Sequence, residues 1–214
     1  MSDSIDALRR EYTSRGMHRE ELPENPVDQF RSWFNQAREA GLLEPNAMTL
    51  ATATAAGRVS ARTVLLKAYD EKGFVFFTNY GSRKSREIAE NASAALLFAW
   101  LPLERQVSIQ GQAIKISHAE SLAYFMSRPM GSRIGAWVSD QSRVISSRKL
   151  LEAKFHEMME KFRDGQVPLP EFWGGIRVEP DSIEFWQGGA NRLHDRFLYT
   201  KKASNQWGLE RLQP

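Results

Sequence analysis

The stretch Ala47–Asn79, AMTLATATAAGRVSARTVLLKAYDEKGFVFFTN, decides the fold class, because its apolar residues recur with a period of two through three runs. Ala56-Gly57 separates the first two runs, and Asp70 to Gly73 separates the second from the third. Three strands joined by short turns make an antiparallel meander. In the middle run Arg62, Val64 and Leu66 share one face while Thr63, Leu65 and Lys67 share the other. Lys67 therefore sits on an aliphatic face, where it either snorkels to the rim or meets an anion.

Downstream, Thr78-Asn79-Tyr80-Gly81-Ser82-Arg83-Lys84-Ser85 runs from a strand end through a Gly turn into a helix expected over Arg86 to Glu90. Two hydroxyls, an Arg-Lys pair and the N–H groups of a helix start make a phosphate cradle, although G-S-R-K is also an ordinary surface loop. Walker A and G-x-G-x-x-G patterns are missing, so neither a nucleoside triphosphate nor a Rossmann dinucleotide site is indicated. Ala92 to Trp100 reads as a fully buried strand, and Arg105 to Ile116 as a strand pair around Gly111. Ser117-His118-Ala119-Glu120 is a capping box opening a helix through Ser127, with Tyr124 and Arg128 one turn apart. Arg128 before Pro129 also suits a plain C-terminal cap.

Residues 133–142 lack a period and read as an ordered loop. A long helix follows from Ser146 or Ser147 to Asp164, and its stripe of Leu150, Leu151, Phe155, Met158, Met159 and Phe162 predicts a core or dimer contact. Pro168 and Pro170 then enforce an extended path. Upstream, Asn25-Pro26 opens a structural helix carrying Val27, Phe30, Phe34 and Ala37. Residues 1–16 read as a mobile N-terminal arm, in which Asp6 to Arg15 form either a short, strongly charged helix or a segment ordered only part of the time.

Antiparallel strands with a few peripheral helices predict an α+β protein built on a small barrel. At 214 residues without a Pro-, Gly- or Ser-rich linker, one domain over 1–214 is expected. The chain has no Cys, which excludes disulfides, thiolate nucleophiles and Cys-bound zinc, and the polar N-terminus is neither a signal peptide nor a membrane span. A cytoplasmic protein is the expectation. A net charge of +3 is too small for a dedicated nucleic-acid binder, and a small anionic ligand suffices to explain it.

The densest chemistry lies in Ile183–Tyr199, IEFWQGGANRLHDRFLY. Read as a hairpin, Ile183 to Trp186 is one strand, Gln187 to Asn191 a turn on Gly188 and Gly189, and Arg192 to Tyr199 the return strand. Alternation then puts Arg192, His194 and Arg196 on one face. Each cation alone fits a solvated strand with Asp195 as counter-charge; the row of three beside an aromatic strand suits a planar anion. His194 adds an imidazole, the group that exchanges protons near neutral pH.

The run E-F-W-Q-G-G-A-N-R-L-H-D-R, Glu184 to Arg196, resembles the C-terminal signature of the pyridoxine (pyridoxamine) 5′-phosphate oxidases. The P-x-P-x-x-W-G-G pattern before it and R-R-E-Y at Arg9 to Tyr12 are similar to that family too. The resemblance implies an antiparallel split-barrel fold, a homodimer, and flavin mononucleotide (FMN) in clefts between subunits. It implies that Arg62, Lys67, Phe77, Thr78, Arg83, Lys84 and Gln106 of one subunit hold FMN with Gln141, Ser142, Trp186 and Arg196 of the other. Arg62 and Lys67 have opposite strand parity, so that assignment requires a bulge, a barrel edge or backbone contacts. It further implies that Lys67, Tyr124, Arg128 and Ser132 take the substrate phosphate, that Arg9 and Tyr12 close over substrate, and that Arg192 and His194 are catalytic. The implied reaction converts pyridoxamine or pyridoxine 5′-phosphate to pyridoxal 5′-phosphate with oxygen, releasing hydrogen peroxide. Two rivals remain: a split-barrel flavin reductase, which needs Arg83 and Lys84 but not the phosphate set, and a non-catalytic flavin or vitamer carrier.

Overall fold

The computed structural model describes residues 11–12 and 16–214, so Arg9 and most of the charged segment over 6–15 lie outside the described residues. The chain forms two compact units, one of residues 1–49, 95–110 and 180–214, the other of 50–94 and 111–179.

In the first unit α1 (Pro26–Glu39) starts where the sequence predicts: the Asn25 side chain accepts from the Val27 N–H, and Pro26 takes the first helical position. Its buried stripe of Val27, Phe30, Trp33 and Ala37 packs aromatic on aromatic, Phe30 lying 5.0 Å from Phe98 and Trp33 edge-on to Phe185 at 5.3 Å. Full burial of a side chain such as Val27 or Phe30 contributes about 1.5–3 kcal/mol.

The strands are β1 (Ala47–Ala53), β2 (Val59–Leu65), β3 (Ala68–Asp70), β4 (Gly73–Asn79), β5 (Ser93–Trp100), β6 (Arg105–Lys115), β7 (Trp173–Gln187), β8 (Asp195–Lys201) and β9 (Trp207–Leu212). They form one nine-stranded sheet in the order β2-β1-β5-β6-β7-β4-β3, with β8 on β7 and β9 on β8. The expected meander is corrected here: β2 and β3, consecutive in the chain, stand at opposite ends of this order. Only Leu66 and Lys67 join them, and three Cα steps span at most about 10 Å. The sheet must curl to bring its end strands that close, giving the antiparallel half-barrel of a split-barrel α+β fold.

Several expected boundaries move. β6 is a single strand through Gly111, not a pair; β5 alternates exposed and buried residues instead of being buried throughout; and β7 is far longer than the Ile183–Trp186 run. The segment read as a loop contains α4 (Met130–Val138). Gly131 and Gly135 dilute its helix propensity, so tertiary packing holds it: Ile134 and Val138 bury into a cluster with Phe125, Phe162 and Trp173 in the second unit. α2 spans Arg83–Glu90, three residues earlier than expected, capped by Ser82. α3 (His118–Ser127) has the predicted capping box, with both reciprocal bonds between Ser117 and Glu120. α5 (Arg148–Lys161) starts on Ser147 and buries no residue fully.

Candidate active site

A cleft of about 550 Å³ opens in the second unit, with Arg62, Lys67, Lys84 and Arg128 on its walls. Both Arg62 and Lys67 reach it because β2 stops at Leu65: the break resets the parity that opposed them, and the Lys67 N–H donates instead to the Val75 carbonyl of β4 at 2.8 Å. On the aromatic side Phe77 stacks on Tyr124 with centroids 3.8 Å apart, and Trp173 lies parallel to Phe77 at 5.4 Å. The Arg128 guanidinium sits 4.7 Å above the Trp173 ring, and its buried Nη1 has no hydrogen-bond partner among the described residues. A desolvated donor of fixed charge without a partner marks a place for an anion, and burial already pushes that guanidinium below its ordinary value. Ser132, on the first turn of α4, lines the same cleft.

Across the cleft, Lys84 Nζ donates to Gln141 Oε1 at 2.8 Å and to Thr78 Oγ1 at 3.1 Å, and Thr78 Oγ1 donates to Gln141 Oε1 at 3.0 Å. Burial first, then the charge of Arg62, push the Lys84 ammonium down to about 8. The Gln141 side chain lies in this cleft of its own chain. The chain returns there after α4, where Asn79 Nδ2 donates to the Ser139 carbonyl at 2.9 Å. Arg83 stands outside the cleft lining, its Nε donating to buried Glu87 at 2.8 Å. Ser142 is exposed with a left-handed φ of 69°.

The first unit holds the other predicted residues. The return strand starts at Asp195, not Arg192: residues 190–192 form a 3-10 turn in which Asn191 and Arg192 take φ of 52° and 62°. Strand parity therefore does not align Arg192 with His194. The reason is a tight loop, in which a Cβ on Gly189 would lie 2.3 Å from the Leu193 carbonyl oxygen. His194 Nδ1 accepts from the Gly189 N–H at 3.1 Å, which assigns the proton of the neutral ring to Nε2. The imidazole lies 4.7 Å from the Trp186 ring, and Tyr12 stands edge-on to both, at 5.6 Å from His194 and 5.8 Å from Trp186. Gly188 leaves room for Tyr12, since a Cβ there would come within 2.8 Å of its ring. Arg192 is exposed, Arg196 pairs with Glu184 at 2.8 Å, and Gln106 is half-buried on β6.

Residues 34–162 match the family model described as Pyridoxamine 5′-phosphate oxidase, and residues 173–214 match that described as Pyridoxine 5′-phosphate oxidase C-terminal dimerisation region. The curated Pyridoxine/pyridoxamine 5′-phosphate oxidase of Crocosphaera subtropica is 63% identical over 212 residues, covering 98% of this chain and 99% of the relative. The chain belongs to this oxidase family. Its counterpart in Aliarcobacter butzleri is 60% identical across 97% of this chain and 98% of that one. Among solved structures, PhzG from Burkholderia lata, in complex with tetrahydrophenazine-1-carboxylic acid, aligns at a TM-score of 0.89 with 31% identity, over 96% of this chain and 100% of that one. A pyridoxamine 5′-phosphate oxidase-related, FMN binding protein from Nostoc punctiforme shares the fold at a TM-score of 0.72 and 16% identity, over 90% and 100% of the two chains.

Within this family frame, the cleft's donor set fits a phosphorylated, planar cofactor and substrate: four cations, an orphaned guanidinium nitrogen and a wall of parallel rings. Sequence reasoning passed over Trp173, though it stands in the quoted P-x-P-x-x-W-G-G run, and over Thr52, Ser60 and Glu87, which surround the Arg62 guanidinium. The spacing of Arg83 and Glu87, one helical turn apart, was the available signal for Glu87.

Proposed function

We propose that this protein is a cytoplasmic, homodimeric FMN-dependent oxidase that converts pyridoxamine or pyridoxine 5′-phosphate to pyridoxal 5′-phosphate, with oxygen as final acceptor and hydrogen peroxide as by-product. The observation that carries the reading is the buried Arg128 Nη1 without a partner, set beside Tyr124 and Ser132 in a cleft that also holds Lys67. That arrangement suits the ester phosphate of a substrate, and full-length relatives at 54–63% identity bear the oxidase name.

FMN, when bound, supplies the two-electron acceptor between the substrate's 4′ carbon and oxygen. Lys84 and Arg83 would hold its phosphate, with Arg62, Thr78 and Gln141 lining the place it enters, and Phe77 next to them. Gln106, Ser142, Trp186 and Arg196 are assigned to FMN by family likeness. Lys67, Tyr124, Arg128 and Ser132 would clamp the substrate phosphate, which fixes one end of a rigid ring and so orients the other. Arg192 would stabilise charge on the pyridine ring, and His194, with its Nε2 proton turned away from the Gly189 contact, would hydrogen-bond the reacting end. Tyr12, already against His194 and Trp186, would exclude water from that end, joined by Arg9 of the arm.

The test is aerobic turnover of pyridoxine 5′-phosphate by the purified protein, with aldehyde and peroxide followed together. Equimolar appearance of both is expected. Flavin binding without either product would leave the carrier reading, and flavin reduction only by a nicotinamide would leave the reductase.

A further inference from the structure

Glu87 is a buried carboxylate, 4% exposed, surrounded by donors that all belong to the second unit. Its Oε2 accepts from Thr52 Oγ1 and Ser60 Oγ, both at 2.5 Å, and from Arg62 Nη2 at 3.1 Å; its Oε1 accepts from Arg83 Nε at 2.8 Å. The two arginines are left in different states by this one anion. Arg62 spends both terminal nitrogens on the protein: Nη1 donates to the Leu50 carbonyl at 3.1 Å and to Thr52 Oγ1 at 2.6 Å, Nη2 to Ser60 Oγ and Glu87. Arg83 is held only through Nε, and its two terminal nitrogens make no hydrogen bond among the described residues. A guanidinium tethered at Nε presents its Nη1–Nη2 edge, the edge that grips a phosphate with two parallel bonds. Arg83 is 61% exposed at the side chain, so without the tether it would sample many rotamers.

We propose that Glu87 is a positioning residue of the flavin site: it fixes the Arg83 fork with its terminal edge free for the FMN phosphate. The inference rests on the proposed function, in which FMN places its phosphate at Arg83 and Lys84. Glu87 is buried and stands outside the cleft lining, so its effect must pass through Arg83.

The experiment measures FMN and riboflavin affinity of the flavin-free protein by fluorescence quenching, for the parent, Glu87→Gln, Arg83→Met and the double variant. Glu87→Gln is expected to weaken FMN about tenfold and leave riboflavin, which has no phosphate, unchanged. In the Arg83→Met background the same change should add nothing, because the arm it positions is gone. Additive losses, or equal losses for riboflavin and FMN, would mean a merely structural carboxylate and overturn the proposal. Should Glu87→Gln not fold, Glu87→Asp keeps the charge but falls one methylene short of Arg83, and the same selective loss of FMN is required of it. If Arg83→Met itself leaves FMN affinity intact, the reading of the phosphate site fails; if it weakens FMN while both Glu87 variants do not, only the role of Glu87 fails.

Discussion

Two cations of the cleft differ in what they can tell an experiment. Lys84 is held near 8 against an ordinary 10.5 by burial and by the charge of Arg62, so its ammonium is disfavoured in the folded protein. The sign follows: below about pH 8 the cost is fully present, and it is relieved as pH rises through 8 toward 10.5, so flavin-free stability gains from this group across that window. Affinity for a phosphate ester moves the other way, because the anion needs the ammonium. FMN affinity is expected to fall by up to about tenfold per pH unit above 8, and calorimetric titration of Lys84→Met between pH 7 and 9 should show a flatter profile. Arg128, with its orphaned Nη1, is assigned to substrate. Arg128→Met should raise the Michaelis constant for pyridoxine 5′-phosphate by roughly 10- to 100-fold, the loss of a charge-assisted contact of about 1.5–3 kcal/mol, while flavin content stays at the parent level. Steady-state kinetics beside a flavin absorbance spectrum separates the two effects; a parallel loss of flavin would move Arg128 to the cofactor.

At the scale of elements, the loop between β7 and β8 shows where sequence patterning ends. Periodicity located the end of β7 and most of β8, and the caps at Asn25, Ser117 and Ser147 located their helices, because alternation and capping are local physics. What was not local was lost. α4 is held by burial of Ile134 and Val138 rather than by its Gly-bearing sequence, and the end of β2 at Leu65, which lets Arg62 and Lys67 face one cleft, breaks an alternation that the sequence continues. Likewise no strand pattern could announce that Arg192 sits in a 3-10 turn at positive φ, ahead of β8. The cleft residues Lys67, Tyr124, Arg128 and Ser132 were legible only by family likeness, since each alone reads as a cap or a surface group. The loop itself can be tested without touching a functional side chain. Gly189→Ala places a methyl against the Leu193 carbonyl and must open the turn that seats His194. Turnover should fall with FMN binding retained, whereas Arg192→Met should lower turnover on the order of 100-fold, about 2.7 kcal/mol of transition-state stabilisation. Single-turnover flavin reduction at saturating substrate reads both; an unchanged rate in Arg192→Met would leave it a binding group only.

For the whole molecule the question is what covers the apolar residues that the single chain leaves in solvent. Val144, Ile145, Leu150 and Leu151 are all exposed, the first of them completely, and they fall on the approach to α5 and its first turn. Four large aliphatic side chains within eight residues are more than scattered surface apolars. The match of residues 173–214 to a dimerisation region says that members of this family pair, and a second copy of the chain is the occupant we expect on this face. The charge of an Asp on an exposed helix position costs a monomer little, within about 0.5 kcal/mol, but buried without a partner at a subunit contact it costs several. Leu151→Asp is therefore expected to leave the thermal unfolding of a dilute, monomeric sample nearly unchanged while shifting the sedimentation equilibrium from dimer to monomer. Flavin supplies an independent reading of the same change. If FMN is shared between subunits, the parent should be yellow with one FMN per chain and lose it on dilution below the dimer dissociation constant, and Leu151→Asp should lose it at every concentration. A variant that stays dimeric at the parent's concentration places the subunit contact elsewhere than α5, and a monomer that keeps its FMN tightly bound places the whole cofactor site within one chain.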